Sequence, residues 1–221
     1  MQKVENYEHF VRKQDVTVEM IDNHTANKIV TDHHYLRRPV YIGRNVSYGI
    51  QHKAIEGMGV VMYGYPVFHT KQWLVGSEEP LRNGELVDLQ RVWMPDGFPP
   101  GTESLAISKS IHLLRSDWPK IHRDNTRRFI PRVKAIITMA DEEFMHDGTL
   151  YRASNFKYLG MTRGRKAAVG CGHGRWSGAK KANVGQKAGS GKHVFILVLD
   201  SSVEIDIEAL RNTYINKKDG R

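Results

Sequence analysis

Asp141 follows the run Lys134-Ala-Ile-Ile-Thr-Met-Ala140, whose composition suits a strand covered on both faces. A carboxylate at the end of such a strand stands where an open α/β sheet presents its ligand crevice. After the turn residues Asp147-Gly148, Thr149 is placed to cap a short helix carrying Tyr151, Arg152, Ser154 and Asn155. A carboxylate and a phenol brought together can move protons, while serine and amide side chains orient a substrate by hydrogen bonds. The alternative is that Asp141 only caps the following turn.

Arg91 falls in an alternating pattern from Glu85 to Met94, among Leu89, Val92 and Trp93, where a cation needs a partner or a ligand. On strict alternation Asp88 and Arg91 face opposite ways, while Glu85 and Arg91 share a face. Either Glu85 pairs with Arg91, or Arg91 binds an acidic group of a donor. Pro95 to Gly101 ends that strand; Thr102 then caps a helix from Glu103 to Asp117, which Pro119 stops. Ser104 in its first turn is either a ligand-facing hydroxyl or part of a plain cap. His33-His34-Tyr35 offers an acid, a stacking face or a metal ligand. No spaced second ligand completes a metal motif there, and Cys171 with His173 does not complete one either.

The elements that must position these groups follow in order. A helix is expected from about Met20 to Tyr35, then strands at Tyr41 to Ile50 and Gly57 to Val67, joined as a hairpin through Lys53 to Gly57. The strand at Glu85, the helix at Glu103, the strand at Lys134 and the helix near Tyr151 come next. A last core strand, Val194 to Leu199, and a short helix, Ser202 to Tyr214, complete the order. Tyr158 is expected to pack in the core. No internal repeat is present.

The chain of 221 residues, 40% hydrophobic, fits one compact domain, residues 1–221. No apolar run approaches the ~20 residues of a membrane-spanning helix, so no membrane partner is expected. A single cysteine rules out an internal disulfide, and with no secretory signal at the amino terminus the expected compartment is the cytoplasm. The net charge of +9 points to a polyanionic partner. Much of it lies in a Gly-rich segment at about 161–193, which has no Asp or Glu and carries Arg163, Arg165, Lys166, Arg175, Lys180, Lys181, Lys187 and Lys192. Such spaced cations can follow a phosphate chain, or they can be a solvated loop.

Three pieces of this sequence, in this order and spacing, resemble the Mom family of phage DNA-modification proteins. They are His33-His34-Tyr35-Leu36-Arg37-Arg38; Glu85-Leu86 with Arg91-Val92-Trp93; and Ala140-Asp141 with Gly148, Tyr151, Ala153-Ser154-Asn155-Phe156 and Tyr158-Leu159-Gly160. The resemblance covers roughly Asp22 to Gly160. It implies an α/β (α+β) fold of the GNAT acyltransferase type, a mixed, mostly antiparallel central sheet flanked by helices.

It also implies modification of the exocyclic amine of adenine in double-stranded DNA, a carbamoylmethylation that protects the DNA from restriction. Asp141 and Tyr151, with Tyr35 and His34, would then be catalytic, removing the proton of a poorly nucleophilic amine. Ser154 and Asn155 would orient the base, Arg91 and Ser104 would bind the donor, and a flipped base would stack on Tyr35 or Tyr151.

In GNAT enzymes the loop before the central helix binds the coenzyme A pyrophosphate through backbone amides. The corresponding Phe98-Pro99-Pro100-Gly101-Thr102-Glu103-Ser104 lacks the usual Gln/Arg-x-x-Gly-x-Gly/Ala signature. The cofactor therefore stays open between acetyl-CoA and another acyl donor, with iron a further option. The rival functions are a conventional GNAT N-acyltransferase acting on an amine and a non-catalytic basic DNA-binding protein.

Overall fold

The computed structural model describes residues 12–40, 45–66, 81, 82, 84–122, 131–144, 146–162, 191–204 and 206. The chain enters through strand β1 (Val16–Ile21) and helix α1 (Asn23–His33), continues through the hairpin β2 (Val46–His52) and β3 (Ile55–Gly64), and reaches β4 (Leu86–Trp93). Helix α2 (Thr102–Ile121), β5 (Ala135–Asp141), the short helix α3 (Thr149–Ala153), β6 (Lys157–Met161) and β7 (Lys192–Val198) follow. The strands form one sheet in the order β1-β2-β3-β4-β5-β7-β6. Every neighbouring pair is antiparallel except β4 with β5. This is the mixed, mostly antiparallel architecture expected.

Helix α2 covers one face because Ala106, Ile107, Ser110, Ile111, Leu114 and Trp118 recur at helical spacing and are buried. They pack on Tyr48, Tyr63, Val87, Leu89, Ile136 and Phe195 of the sheet. The Tyr63 hydroxyl lies 2.8 Å from Ser110 Oγ, and Trp118 Nε1 donates to the Gly84 carbonyl at 2.8 Å, so these two buried ring polar groups are paired. On the other face α1 lays Ala26 and Val30 against Val60 and Met62. Asn27 holds the outgoing chain by accepting from the Val40 amide at 2.7 Å and donating to its carbonyl at 3.2 Å.

Several expected boundaries shift for physical reasons. Met20 and Ile21 belong to β1, and α1 begins only after Asp22, whose carboxylate caps it by accepting from the Thr25 amide at 2.9 Å. Thr102 is the first helical residue, not the cap. Gly101 caps α2 at φ 86°, and the Thr102 hydroxyl turns back to the Pro99 carbonyl at 2.7 Å. Pro119 does not stop α2, which runs on to Ile121. Tyr158 is 44% exposed on the edge strand β6, not in the core. The expected helix at Ser202 to Tyr214 lies largely outside the described residues.

Candidate active site

The β4–β5 ladder runs over three pairs, Leu86↔Ala135, Val87↔Ile136 and Asp88↔Ile137. Beyond it Gln90, Arg91 and Val92 of β4 and Met139 and Ala140 of β5 line a common cavity of about 430 Å³. A crevice past the carboxyl end of a parallel pair is the usual ligand position of α/β sheets. The end of α1 supplies His34 and Tyr35 to this cavity, α2 supplies Glu103 and Ser104, and the segment through α3 supplies His146 to Tyr151 and Ala153. Four parts of the chain thus bring His34, Tyr35, Arg91, Ser104 and Tyr151 to one place.

A β-bulge directs Arg91. The register places Arg91 opposite Met62 and Leu89 opposite Tyr63, leaving Gln90 as the extra residue. Strict alternation is therefore broken: Val87, Leu89 and Val92 all pack in the α2-side core, while Asp88 and Arg91 come round to the opposite face together. The expected opposition of Asp88 and Arg91 is overturned by this single inserted residue. The expected sharing of a face by Glu85 and Arg91 is overturned too, since Glu85 precedes the strand, pairs with Lys134 Nζ at 2.9 Å and accepts from the Arg82 amide at 2.6 Å. Arg91 Nη1 donates to the Gln90 carbonyl at 2.6 Å, and its buried Nε has no hydrogen-bond partner.

The ionisable groups around the cavity are moved off their ordinary values. Burial pushes the Asp88 carboxyl up to about 7, against the pull of Arg91 and Lys192. Desolvation pushes Tyr151 up to about 12, with a hydrogen bond to Thr138 acting the other way. Tyr151 is therefore a neutral hydroxyl at physiological pH and a proton donor. Burial lowers His34 to about 4, with Arg91 and His146 adding to the effect. Its Nδ1 accepts from the Leu36 amide at 3.2 Å, so the neutral ring carries its proton on Nε2. Tyr35 is raised by desolvation and by Asp141.

The other expected site residues lie outside the cavity lining. Asp141 is buried beside it, with Oδ2 3.2 Å from Lys192 Nζ and Oδ1 accepting from the Glu143 amide at 3.2 Å. Ser154 and Asn155 finish α3. The Ser154 hydroxyl donates to the Leu150 carbonyl at 2.9 Å, and Asn155 adopts the left-handed conformation at φ 64°. The Asn155 amide donates to Arg152 O at 3.0 Å and the Phe156 amide to Tyr151 O at 2.9 Å, which together make a Schellman cap. The rings of Tyr151 and Phe156, 5.9 Å apart, supply the apolar contact of that motif.

The start of α3 is also built differently from the expectation. Gly148, not Thr149, is the cap residue, and Asp147 accepts from the Thr149 amide at 2.9 Å and its hydroxyl at 2.8 Å. Glu103 and His146, which line the cavity, and Asp88, on the face of Arg91, are given no site role by the sequence. The cationic residues Arg163, Arg165, Lys166, Arg175, Lys180 and Lys181 lie outside the described residues.

The start of α2 does not fit a coenzyme A pyrophosphate. Pro99 and Pro100 have no amide proton, the Thr102 amide donates to Pro99 O at 3.1 Å, and the Ser104 hydroxyl donates to Gly101 O at 3.1 Å. The Glu103 carboxylate stands beside them on the cavity wall, where it repels phosphate. Among the described residues no group of three or more His, Cys, Asp or Glu side chains is gathered to hold a metal ion.

Among solved structures, NAA60 of Arabidopsis thaliana in complex with a bisubstrate analogue aligns at TM-score 0.51 and 12% identity, over 83% of this chain and 97% of that one. A GNAT family acetyltransferase from Elizabethkingia anophelis aligns at 0.47 and 10%, over 84% and 99%. At 12% identity the likeness to the Arabidopsis enzyme is one of fold, and the fold is that of the GNAT acyltransferases. The methylcarbamoylase Mom of Escherichia phage Mu is 29% identical over 150 residues, 66% of this chain and 54% of that protein. The chain thus spans about half the length of that relative. Residues 15–221 match the Mom protein family, and with that span the chain belongs to the Mom family.

Proposed function

We propose that this protein is a transferase that modifies the exocyclic amine of adenine in DNA, as part of a phage defence against restriction. The observation that carries this reading is the convergence of His34, Tyr35, Arg91, Ser104 and Tyr151 on one cavity in a chain of the Mom family. The relative from phage Mu is a methylcarbamoylase, which favours a carbamoylmethyl product.

The amine of adenine is a weak nucleophile because its lone pair is delocalised into the ring, so its proton must leave as the new bond forms. Glu103 is the carboxylate best placed to take it, since it lines the cavity and desolvation raises its pKa. Asp141, tied to Lys192 and the Glu143 amide, acts behind Tyr35 as a positioning residue. Tyr151 donates a proton or hydrogen bond to the departing side of the donor, and His34 Nε2–H and the free Nε of Arg91 hold its electron-rich groups. Asp88, when ionised, favours the charged Arg91 guanidinium on the same face of the sheet.

Nucleoside mass spectrometry on DNA from cells expressing the protein tests this reading. A new mass on deoxyadenosine, lost with Tyr151→Phe and Glu103→Gln, is the expected result. Unmodified DNA alongside an acetylated small amine or protein would favour the conventional acyltransferase instead.

A further inference from the structure

Tyr35 is the hub of a ring cluster on one wall of the cavity. Its centroid lies 4.2 Å from that of His34, 4.4 Å from Phe144 and 4.8 Å from His146. His34 is buried, yet Tyr35 and Phe144 are each 38% exposed. Phe144 ends the 3-10 turn Glu142–Phe144 that follows Asp141 and lies outside the cavity lining, so the cluster joins the exit of β5 to the wall that His34, Tyr35 and His146 form. Water penalises an apolar ring left at the surface, and the ring contact with Tyr35 removes only part of that penalty. Its immediate neighbours Glu142 and Glu143 are exposed carboxylates. They make this wall unsuited to phosphate and leave it open to an uncharged planar face.

Building on the DNA-modifying reading above, we propose that Phe144, backed by Tyr35, is the stacking face on which the extrahelical base rests while its amine edge enters the cavity. Stacking is tolerant of base identity, because every base has a π face, so this contact holds the base while the polar cavity selects it. Phe144 touches substrate without taking part in proton transfer.

The test compares binding of the full chain to two duplex pools of randomised sequence, one with a central adenine and one with an abasic site at the same position. The wild type is expected to prefer the adenine duplex. Phe144→Ala should weaken binding to it roughly tenfold and leave the abasic duplex unaffected, whereas Phe144→Tyr, which keeps the ring, should match the wild type. Equal losses on both duplexes, no loss on either, or a wild type indifferent to the base would overturn this inference alone. A wild type that binds neither duplex would overturn the DNA reading and this inference with it.

Discussion

Asp88 combines burial with a carboxyl whose pKa lies near 7, and the two facts have opposite consequences for stability and activity. The unfolded chain releases this proton near the ordinary carboxylate value, while the folded chain holds it until about 7. Between those values the folded state binds more protons, so the contribution of Asp88 to stability falls as pH rises through that window. Asp88→Asn should therefore raise stability at pH 8 by on the order of 2 kcal/mol, read as a higher denaturation midpoint with no gain at pH 4. The same substitution removes an anion that shares a face with Arg91 and favours its charge. Modification by the wild type should rise with pH through a midpoint near 7, and Asp88→Asn should be less active with that rise flattened. A wild-type rate independent of pH from 6 to 8 would separate Asp88 from the chemistry. His34, held to about 4, adds no limb in that range.

At the scale of elements, α3 is five residues long and could not persist without its ends, because so short a helix forms too few internal bonds to repay its nucleation. Both ends are fixed by particular residues. Gly148 takes φ 79°, and a Cβ there would collide with the Phe195 ring. Gly148→Ala should cost about 2 kcal/mol or more and move Tyr151, which packs 5.4 Å from Phe195, out of the cavity wall. Retained modification by a stably folded Gly148→Ala protein would contradict that placement.

At the other end, Asn155→Gly should keep both stability and activity, while Asn155→Ala should lose about 1 kcal/mol at the left-handed position. Had Asn155 been a ligand for the base, glycine would abolish modification, so parallel thermal melts and product assays on these two variants decide its role.

The cap also explains what was legible in the sequence. The order Gly148, Tyr151, Ser154-Asn155-Phe156 marks a segment that reaches the cavity, and Tyr151 lines it from the helix that the turn residues announce. Ser154 and Asn155 are a polar pair whose types suit a substrate, and composition does not announce that the Ser154 hydroxyl also donates to the Leu150 carbonyl or that Asn155 takes the left-handed cap position. Arg91 was legible as a cation in an apolar strand. Asp88 was hidden because the bulge at Gln90 inverts the alternation from which faces are inferred, and hydrophobic pattern carries no mark of an inserted residue.

Over the whole molecule, topology joins the cationic segment to the site. Residues 163–190 connect β6 to β7, and the chain leaves and re-enters the sheet at one point. There the Thr162 amide donates to Lys192 O at 2.8 Å and the Lys192 amide to Thr162 Oγ1 at 3.0 Å. Lys192 also pairs with Asp141 at 3.2 Å, so the root of the segment stands next to the residue that ends β5, beside the cavity. A backbone-binding arm rooted there would hold DNA with the target base facing the pocket, supplying affinity while the cavity supplies chemistry.

Replacing Lys180, Lys181 and Lys187 by Gln should then weaken duplex binding at low salt. It should also reduce the steepness of log affinity against log salt by roughly 3, about one for each lost phosphate contact. The nucleoside product should keep its mass, because none of the three side chains is proposed to touch the reacting atoms. An unchanged salt slope would mean that the segment keeps the protein in solution and leaves DNA to another surface.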